Sequence, residues 1–370
     1  MLVLLLLAAA LALAFANGAN DNFKATATLY GSGNLAYDPA RRLATVAQIA
    51  GSIASVVWAA ALLRAFSGKG LVPAEVVGDP TFLVSVGAGA AATVLLATRF
   101  GLPVSTTHAL VGGLAGAGLT LAPGQLSWAA LGGSYFLPLL VSPLLAVAFA
   151  SVLYPLAHRS RRLLGIEADT CLCIGDTRDP VRPGPGGALV VERTGLALTV
   201  DQADACREFY SGESLGISVQ SLVDRLHQIS AFSLGFARGL NDTPKVLALI
   251  VTAGWSGLEP RVSLAVIAGA MALGGYLRSR RVAETLAHRI TRLSHGQGLL
   301  ANSIASALVI FASLLGSPVS TTHVSTGALF GIGFWNEGTD WTMVSGIVAA
   351  WVGTLPVAAA LAGSMAFLIG

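Results

Sequence analysis

Gly101-Leu102-Pro103-Val104-Ser105-Thr106-Thr107-His108 returns later in the chain as Gly316-Ser317-Pro318-Val319-Ser320-Thr321-Thr322-His323, with seven of eight positions identical. Upstream of the first copy, Phe15-Ala16-Asn17-Gly18-Ala19-Asn20-Asp21-Asn22-Phe23-Lys24 returns as Phe236-Ala237-Arg238-Gly239-Leu240-Asn241-Asp242-Thr243-Pro244-Lys245, with six of ten identical. The offsets are 215 and 221 residues, so both order and spacing are kept. One match could be chance; two in register mean an internal duplication.

The chain around the repeats is apolar. The 370-residue chain is 54% hydrophobic and 11% charged, where a soluble protein carries roughly 25% charged residues. Residues 157–225 hold 18 of the 41 charged side chains, which leaves the rest of the chain at about 8%. That distribution excludes a disordered chain, a secreted disulfide scaffold and, despite the net charge of +3, a nucleic-acid binder. Three cysteines, Cys171, Cys173 and Cys206, all lie in the polar middle and are too few for a zinc site; they read as reduced thiols on a cytoplasmic surface. The chain reads as an all-α polytopic membrane protein with a small soluble insertion: membrane repeat 1 over 1–156, a cytoplasmic insertion over 157–226 and membrane repeat 2 over 227–370.

Apolar stretches at 1–16 with 22–32, 43–63, 81–99, 105–122, 128–156, 227–252, 261–277, 298–315, 317–334 and 341–369 predict ten to twelve membrane segments. Ala14-Phe15-Ala16 ends the first run like a signal-peptidase site. No basic residue precedes that run, however, and residues 17–24 just after it have a counterpart in mid-chain, so it reads as an uncleaved helix. The stretches 105–122 and 317–334 are short, come after a Gly-x-Pro break and read as re-entrant. Within the insertion, 188–200 predicts a strand or hairpin, and 201–210 and 218–228 predict helices. Basic clusters at Arg41–Arg42, Arg159–Arg162 and Arg278–Arg292 all face the cytoplasm if the N-terminus is outside. The first half then enters from outside and the second from the cytoplasm, which makes the repeats inverted in topology.

Charge inside the apolar stretches is confined to the repeats. Outside the middle segment nine acidic residues are present, and only Asp21 and Asp242 fall between apolar stretches. Two of the three lysines, Lys24 and Lys245, stand three residues after them. A charge at mid-membrane costs about 3 kcal/mol on insertion scales, and an Asp–Lys pair at i, i+3 shares a helix face and neutralises itself. The surrounding Asn17–Asn22 and Pro244 are turn and breaker chemistry, so broken helices are expected at both acids. After each Gly-x-Pro, Ser105 and Ser320 stand as helix N-caps, and the free first-turn N–H groups beyond them suit an anion. Inverted repeats, broken helices and buried charges are the parts of a secondary transporter with its site between the repeats.

At these residues the chain resembles the inorganic phosphate transporter family of anion permeases: Gly-Ala-Asn-Asp at 18–21 and Gly-x-Pro-Val-Ser-Thr-Thr-His in both halves carry the likeness. The resemblance implies import of inorganic phosphate across the cell membrane by proton- or sodium-coupled symport with alternating access and no other cofactor. It implies phosphate contacts from Asn20, Ser105, Thr106, Thr107, Asn241, Ser320, Thr321 and Thr322, with Asp21 and Asp242 taking the coupling ion, a sodium site among the options; Lys24 and Lys245, which the family pattern does not supply, read from their own charge as further phosphate contacts or as compensation for the acids. The partners it implies are the oxyanion and the lipid membrane, with a homodimer as an allowed assembly and no nucleic acid.

The chain departs from the family where Val-Ala-Asn-Ala usually comes after the acid. Here Asn22-Phe23-Lys24-Ala25 and Thr243-Pro244-Lys245-Val246 put an ammonium beside each carboxylate, which favours protons over sodium or moves the preference toward sulfate or another oxyanion. Each acid–lysine pair also reads as purely structural, each Ser or Thr as a cap, and His108 and His323 as packing or as a proton relay. Arg238 reads as an anion contact or a snorkelling side chain. A membrane hydrolase is excluded because every Ser, His and Asp candidate occurs twice, whereas a triad needs one of each. An anion channel would favour a continuous polar pore over paired acids.

Overall fold

The computed structural model describes residues 2–167, 170–178, 182–183, 189–190, 193–202, 215–254, 259–291 and 293–370. α1 (Leu2–Asp21) passes through a 3₁₀ turn, Asn22–Ala25, into α2 (Ala27–Gly31), followed by α3 (Tyr37–Trp58), α4 (Ala60–Ala65), α5 (Pro80–Arg99) and α6 (Thr106–Leu121). α7 (Trp128–Ala130), a π-helical segment (Leu131–Phe136) and α8 (Leu137–Leu163) form one continuous rod. Strands β1 (Thr170–Arg178), β2 (Arg182–Pro183), β3 (Leu189–Val190), β4 (Arg193–Gln202) and β5 (Leu215–Ser218) come next. The second half is α9 (Val219–Thr252), α10 (Pro260–Arg278), α11 (Arg280–His288), α12 (His295–Leu314), α13 (Thr321–Gly333) and α14 (Trp341–Ile369).

The chain divides into two compact units, Met1–Val152 with Gln228–Gly370, and Leu153–His227. In the helical unit α1 packs on α5 and α10, α14 on α5 and α6, and α12 on α13. The core is mostly Ala, Leu and Val, including Leu13, Ala90, Leu110 and Ala362. Small residues let the backbones touch: a Cβ on Gly18 of α1 would collide with the Met271 carbonyl of α10, and one on Gly274 with the Phe15 carbonyl. Outward-facing residues are just as apolar, with Val57 76%, Val352 72% and Phe367 80% exposed. A surface as apolar as the core departs from the soluble pattern and suits lipid as the solvent.

Five helices among the described residues are long and apolar enough to cross a membrane, or six if the pair 261–278 and 280–288, bent by 67°, is one span. That is fewer than the ten to twelve segments expected, because α6 and α13 are only 16 and 13 residues long and because α3 and α9, long enough at 22 and 34 residues, lack a sufficiently apolar stretch.

Both Gly-x-Pro breaks are helix stops followed by starts. Gly101 and Gly316 take φ of +70° and +69°, which a residue with a Cβ rarely adopts. The Leu102 N–H then donates to the Ala97 carbonyl and the Ser317 N–H to the Ala312 carbonyl, closing a Schellman cap at the end of α5 and of α12. Pro103 and Pro318 bar continuation, and the Ser105 and Ser320 hydroxyls accept from the His108 and His323 N–H groups (both 3.1 Å) to start α6 and α13.

Of the two helix breaks expected at the acids, the first is present at Asp21, where α1 ends and the 3₁₀ turn Asn22–Ala25 leads into α2, and the second is absent. α1 stays helical through Asn17–Asp21 and tightens to 3₁₀ only at Asn22. Asn17 and Asn20 turn a helix when they bond their own backbone; here their amides bond Asp21, Thr106, Thr98 and the Leu102 carbonyl instead. Pro244 lies inside the unbroken α9, where its missing N–H forfeits a single bond to the Leu240 carbonyl.

The smaller unit carries an antiparallel sheet in the order β4-β1-β5, pairing Cys171 with Asp201 and with Ser218. The strand or hairpin expected over 188–200 falls on β3 and on β4, which starts at Arg193 and runs on to Gln202, so 201–202 is strand rather than helix. Ala188, the rest of the helix expected to 210, Cys206 and Arg292 lie outside the described residues. Helix begins at Val219, one residue after the 218 expected.

Candidate functional site

The twelve residues singled out from the repeats are all buried, each at most 4% exposed, and they come together in the helical unit. α1 and its 3₁₀ turn supply Asn20, Asp21 and Lys24; α9 supplies Asn241, Asp242 and Lys245. The starts of α6 and α13 supply Ser105, Thr106 and Thr107, and Ser320, Thr321 and Thr322.

Asp21 is held from every side. Its Oδ2 accepts from the Thr106 hydroxyl (2.8 Å) and the Asn17 amide (3.0 Å), and its Oδ1 from the Thr322 hydroxyl (3.1 Å) and from Lys24. Asp242 repeats the scheme more loosely. Its Oδ1 accepts from Lys245 (3.2 Å) and Asn241 (3.0 Å), and its Oδ2 from Thr321 (3.3 Å).

The lysines cross between the halves. Lys24 Nζ donates to Thr322 Oγ1 (2.7 Å), Asn20 Oδ1 (2.8 Å) and the Val104 carbonyl (2.8 Å). Lys245 Nζ donates to Thr107 Oγ1 (2.7 Å) and the Val319 carbonyl (2.8 Å). Val104 and Val319 are the residues left without helical partners by the two breaks, so the Gly-x-Pro turns present carbonyls to the ammonium groups.

Sequence reading left Arg238 undecided and missed three further contributors, Asn17, Thr98 and Ser313. Arg238 is 3% exposed, which rules out snorkelling. Its Nη2 lies 3.3 Å from Asp21 Oδ1 and 3.9 Å from Asp242 Oδ2, yet neither Nη1 nor Nη2 makes a hydrogen bond. Asn17, at the equivalent place in the other repeat, also reaches both acids, at 3.0 and 3.4 Å. Thr98 accepts from the Asn20 amide (2.9 Å) and Ser313 donates to Asn241 Oδ1 (3.1 Å). These two are 215 residues apart, the offset of the Ser-Thr-Thr repeat, so extending that alignment three residues upstream of Gly101 would have found them.

His108 and His323 sit one step behind. Their ring centroids are 4.3 Å apart, His323 stacks on Trp351 at 3.9 Å, and His108 Nδ1 contacts Ser105 Oγ at 3.0 Å. They border an apolar cavity of about 710 Å³ with Leu139, Pro143 and Trp351. Trp351 Nε1 donates to the Pro103 carbonyl (3.1 Å), which ties the first break to α14. The charged cluster itself is closed to solvent; Lys24 borders a void of about 10 Å³ shared with Thr28, Asn302 and Ser325.

Chemically, three buried cations face two buried carboxylates at the meeting point of two helix starts, a donor-rich centre with a formal surplus of one positive charge. Comparison with known proteins agrees with that chemistry. A protein of Pyrococcus abyssi that is a phosphate permease by name is 28% identical over 96% of this chain and 95% of its own length. One of Mycobacterium tuberculosis strain H37Rv, by name a low-affinity inorganic phosphate transporter, is 28% identical over 96% of this chain and 75% of its own. A solved structure titled "The sodium-dependent phosphate transporter" superposes with a TM-score of 0.76 at 20% identity, covering 100% of this chain and 98% of that one, and so shares the polytopic all-α fold. The profile of the phosphate transporter family matches residues 17–362, which takes in both acid–lysine pairs and both Ser-Thr-Thr helix starts, and this chain belongs to that family of transporters.

Proposed function

We propose that this protein imports inorganic phosphate through the cell membrane by cation-coupled symport, with proton or sodium as the coupling ion. The observation that carries the reading is the surplus charge: each Lys–Asp pair cancels, and Arg238 is left with Nη1 and Nη2 unbonded. A buried guanidinium with both terminal nitrogens lacking hydrogen bonds is costly and is the side chain best shaped for two phosphate oxygens. A monovalent phosphate placed there makes the cluster neutral.

The remaining oxygens fall to Asn20, Asn241 and the hydroxyls of Ser105, Thr106, Thr107, Ser320, Thr321 and Thr322, together with first-turn N–H groups that no carbonyl of α6 or α13 reaches. Asp21 and Asp242 take the coupling cation. The two halves are inverted repeats, and rocking of one against the other opens the closed cluster to each side in turn, since its void of about 10 Å³ has room for one water and no oxyanion.

Uptake of labelled phosphate into proteoliposomes, with sulfate as competitor, tests the reading. Accumulation above the outside concentration that phosphate competes and sulfate does not is the expected result. Uptake that only equilibrates indicates a channel, and preference for sulfate refutes the substrate. Arg238→Gln leaves the two ion pairs balanced and is expected to abolish phosphate binding.

A further inference from the structure

The coupling cation in this site rests on the reading above, and the structure narrows it. A sodium ion held here would need oxygens free to bind it. The oxygens suited to the task surround Lys24 Nζ: a carboxylate from Asp21, an amide carbonyl from Asn20, a backbone carbonyl from Val104 and a hydroxyl from Thr322. The same set, lacking only the amide, surrounds Lys245 Nζ: Asp242, Val319 and Thr107. The separations to the neutral oxygens, 2.7–2.8 Å, are those of charge-assisted hydrogen bonds. Both cages are filled by the chain's own cations, so a sodium ion could take these oxygens only by displacing an ammonium.

The tethers leave little room for exchange. Lys24 stands on the 3₁₀ turn and Lys245 on α9; both residues are at most 3% exposed. Neither ammonium has an alternative carboxylate outside the cluster, because the other acids of the helical unit, Asp38, Glu75, Asp79, Glu259, Glu284, Glu337 and Asp340, are not buried. An incoming metal ion would also meet Arg238, 3.3 Å from Asp21.

We infer that Lys24 and Lys245 are resident cations in place of bound sodium, and that phosphate transport by this chain is sodium-independent, with coupling left to protons. Two readouts test it, one of them independent of transport. Purified protein is unfolded by heat in sodium chloride and in choline chloride at equal concentration and pH. The wild type shows no sodium-specific rise in midpoint. Lys24→Ala, which empties a cage while leaving Asp21, Asn20, Val104 and Thr322, gains one, and Lys245→Ala does the same if the first variant does not fold.

In proteoliposomes, wild-type uptake is unchanged when choline replaces sodium and is lost when a protonophore collapses the pH gradient. Sodium stabilisation of the wild type, or collapse of its uptake in choline, overturns the inference. So does a folded lysine variant that stays indifferent to sodium. Absence of phosphate uptake in every salt defeats the proposed function instead and leaves the sodium-binding readout standing.

Discussion

Replacing Asp21 by Asn changes almost no volume but leaves three buried cations facing one carboxylate. Arg238 Nη2 is 3.3 Å from Asp21, a separation worth about 5 kcal/mol of attraction at an effective dielectric near 20, and Lys24 adds a second contact of the same kind. Burying one ion fewer offsets part of that loss. Removal of one partner from a buried pair typically costs about 3–5 kcal/mol, and the same range is expected here. At about 2 °C per kcal/mol for a chain of this size, the midpoint of thermal unfolding falls by about 6–10 °C. The double variant Asp21→Asn/Lys24→Met drops one charge of each sign and keeps the lysine stem's volume, so it recovers most of the loss. Size-exclusion profiles after stepwise heating in detergent measure all three proteins. If the double variant is no more stable than Asp21→Asn alone, the cluster is not held by charge balance and the reasoning fails.

Asp242→Asn obeys the same logic with a smaller drop, because Arg238 is 3.9 Å away and the Lys245 contact is 3.2 Å; comparing the two midpoints checks the order. Arg238→Gln removes the surplus charge and is expected to keep or raise the midpoint while phosphate binding, measured by calorimetry, disappears. Ser105→Ala and Ser320→Ala each lose a helix cap, about 0.5–2 kcal/mol, and glycine at either place recovers most of it in the same melts. Gly18→Leu drives a side chain into the Met271 carbonyl and is expected to cost at least about 1–3 kcal/mol, read as loss of folded protein after extraction.

Much of the site was legible because duplication marks it twice. Asp21, Lys24 and the Ser-Thr-Thr runs stand out as charge and caps in apolar surroundings, and the structure gathers all of them. Helix breaks were best legible where backbone conformation forces them, at Gly101 and Gly316 with positive φ. At Asn17–Asn22 the break comes only at the end of the stretch, after Asp21, because the Asn17 and Asn20 amides found partners 70 or more residues away in Thr106, Thr98 and Leu102, and at Pro244 the helix runs on unbroken. Arg238 was the least legible. Its place in the repeat was plain, but whether so long a side chain turns inward or toward a membrane surface depends on what the opposite half offers, here Asp21.

Because Lys24 ends on Thr322 and Lys245 on Thr107, the halves are clasped hand over wrist. Any motion that parts them must break at least one ammonium–hydroxyl contact, and bonds to charged groups are worth about 1.5–3 kcal/mol each. Such a clasp insulates: a momentary gap wide enough to leak protons or metal ions is penalised unless an arriving anion supplies replacement oxygens to the freed donors.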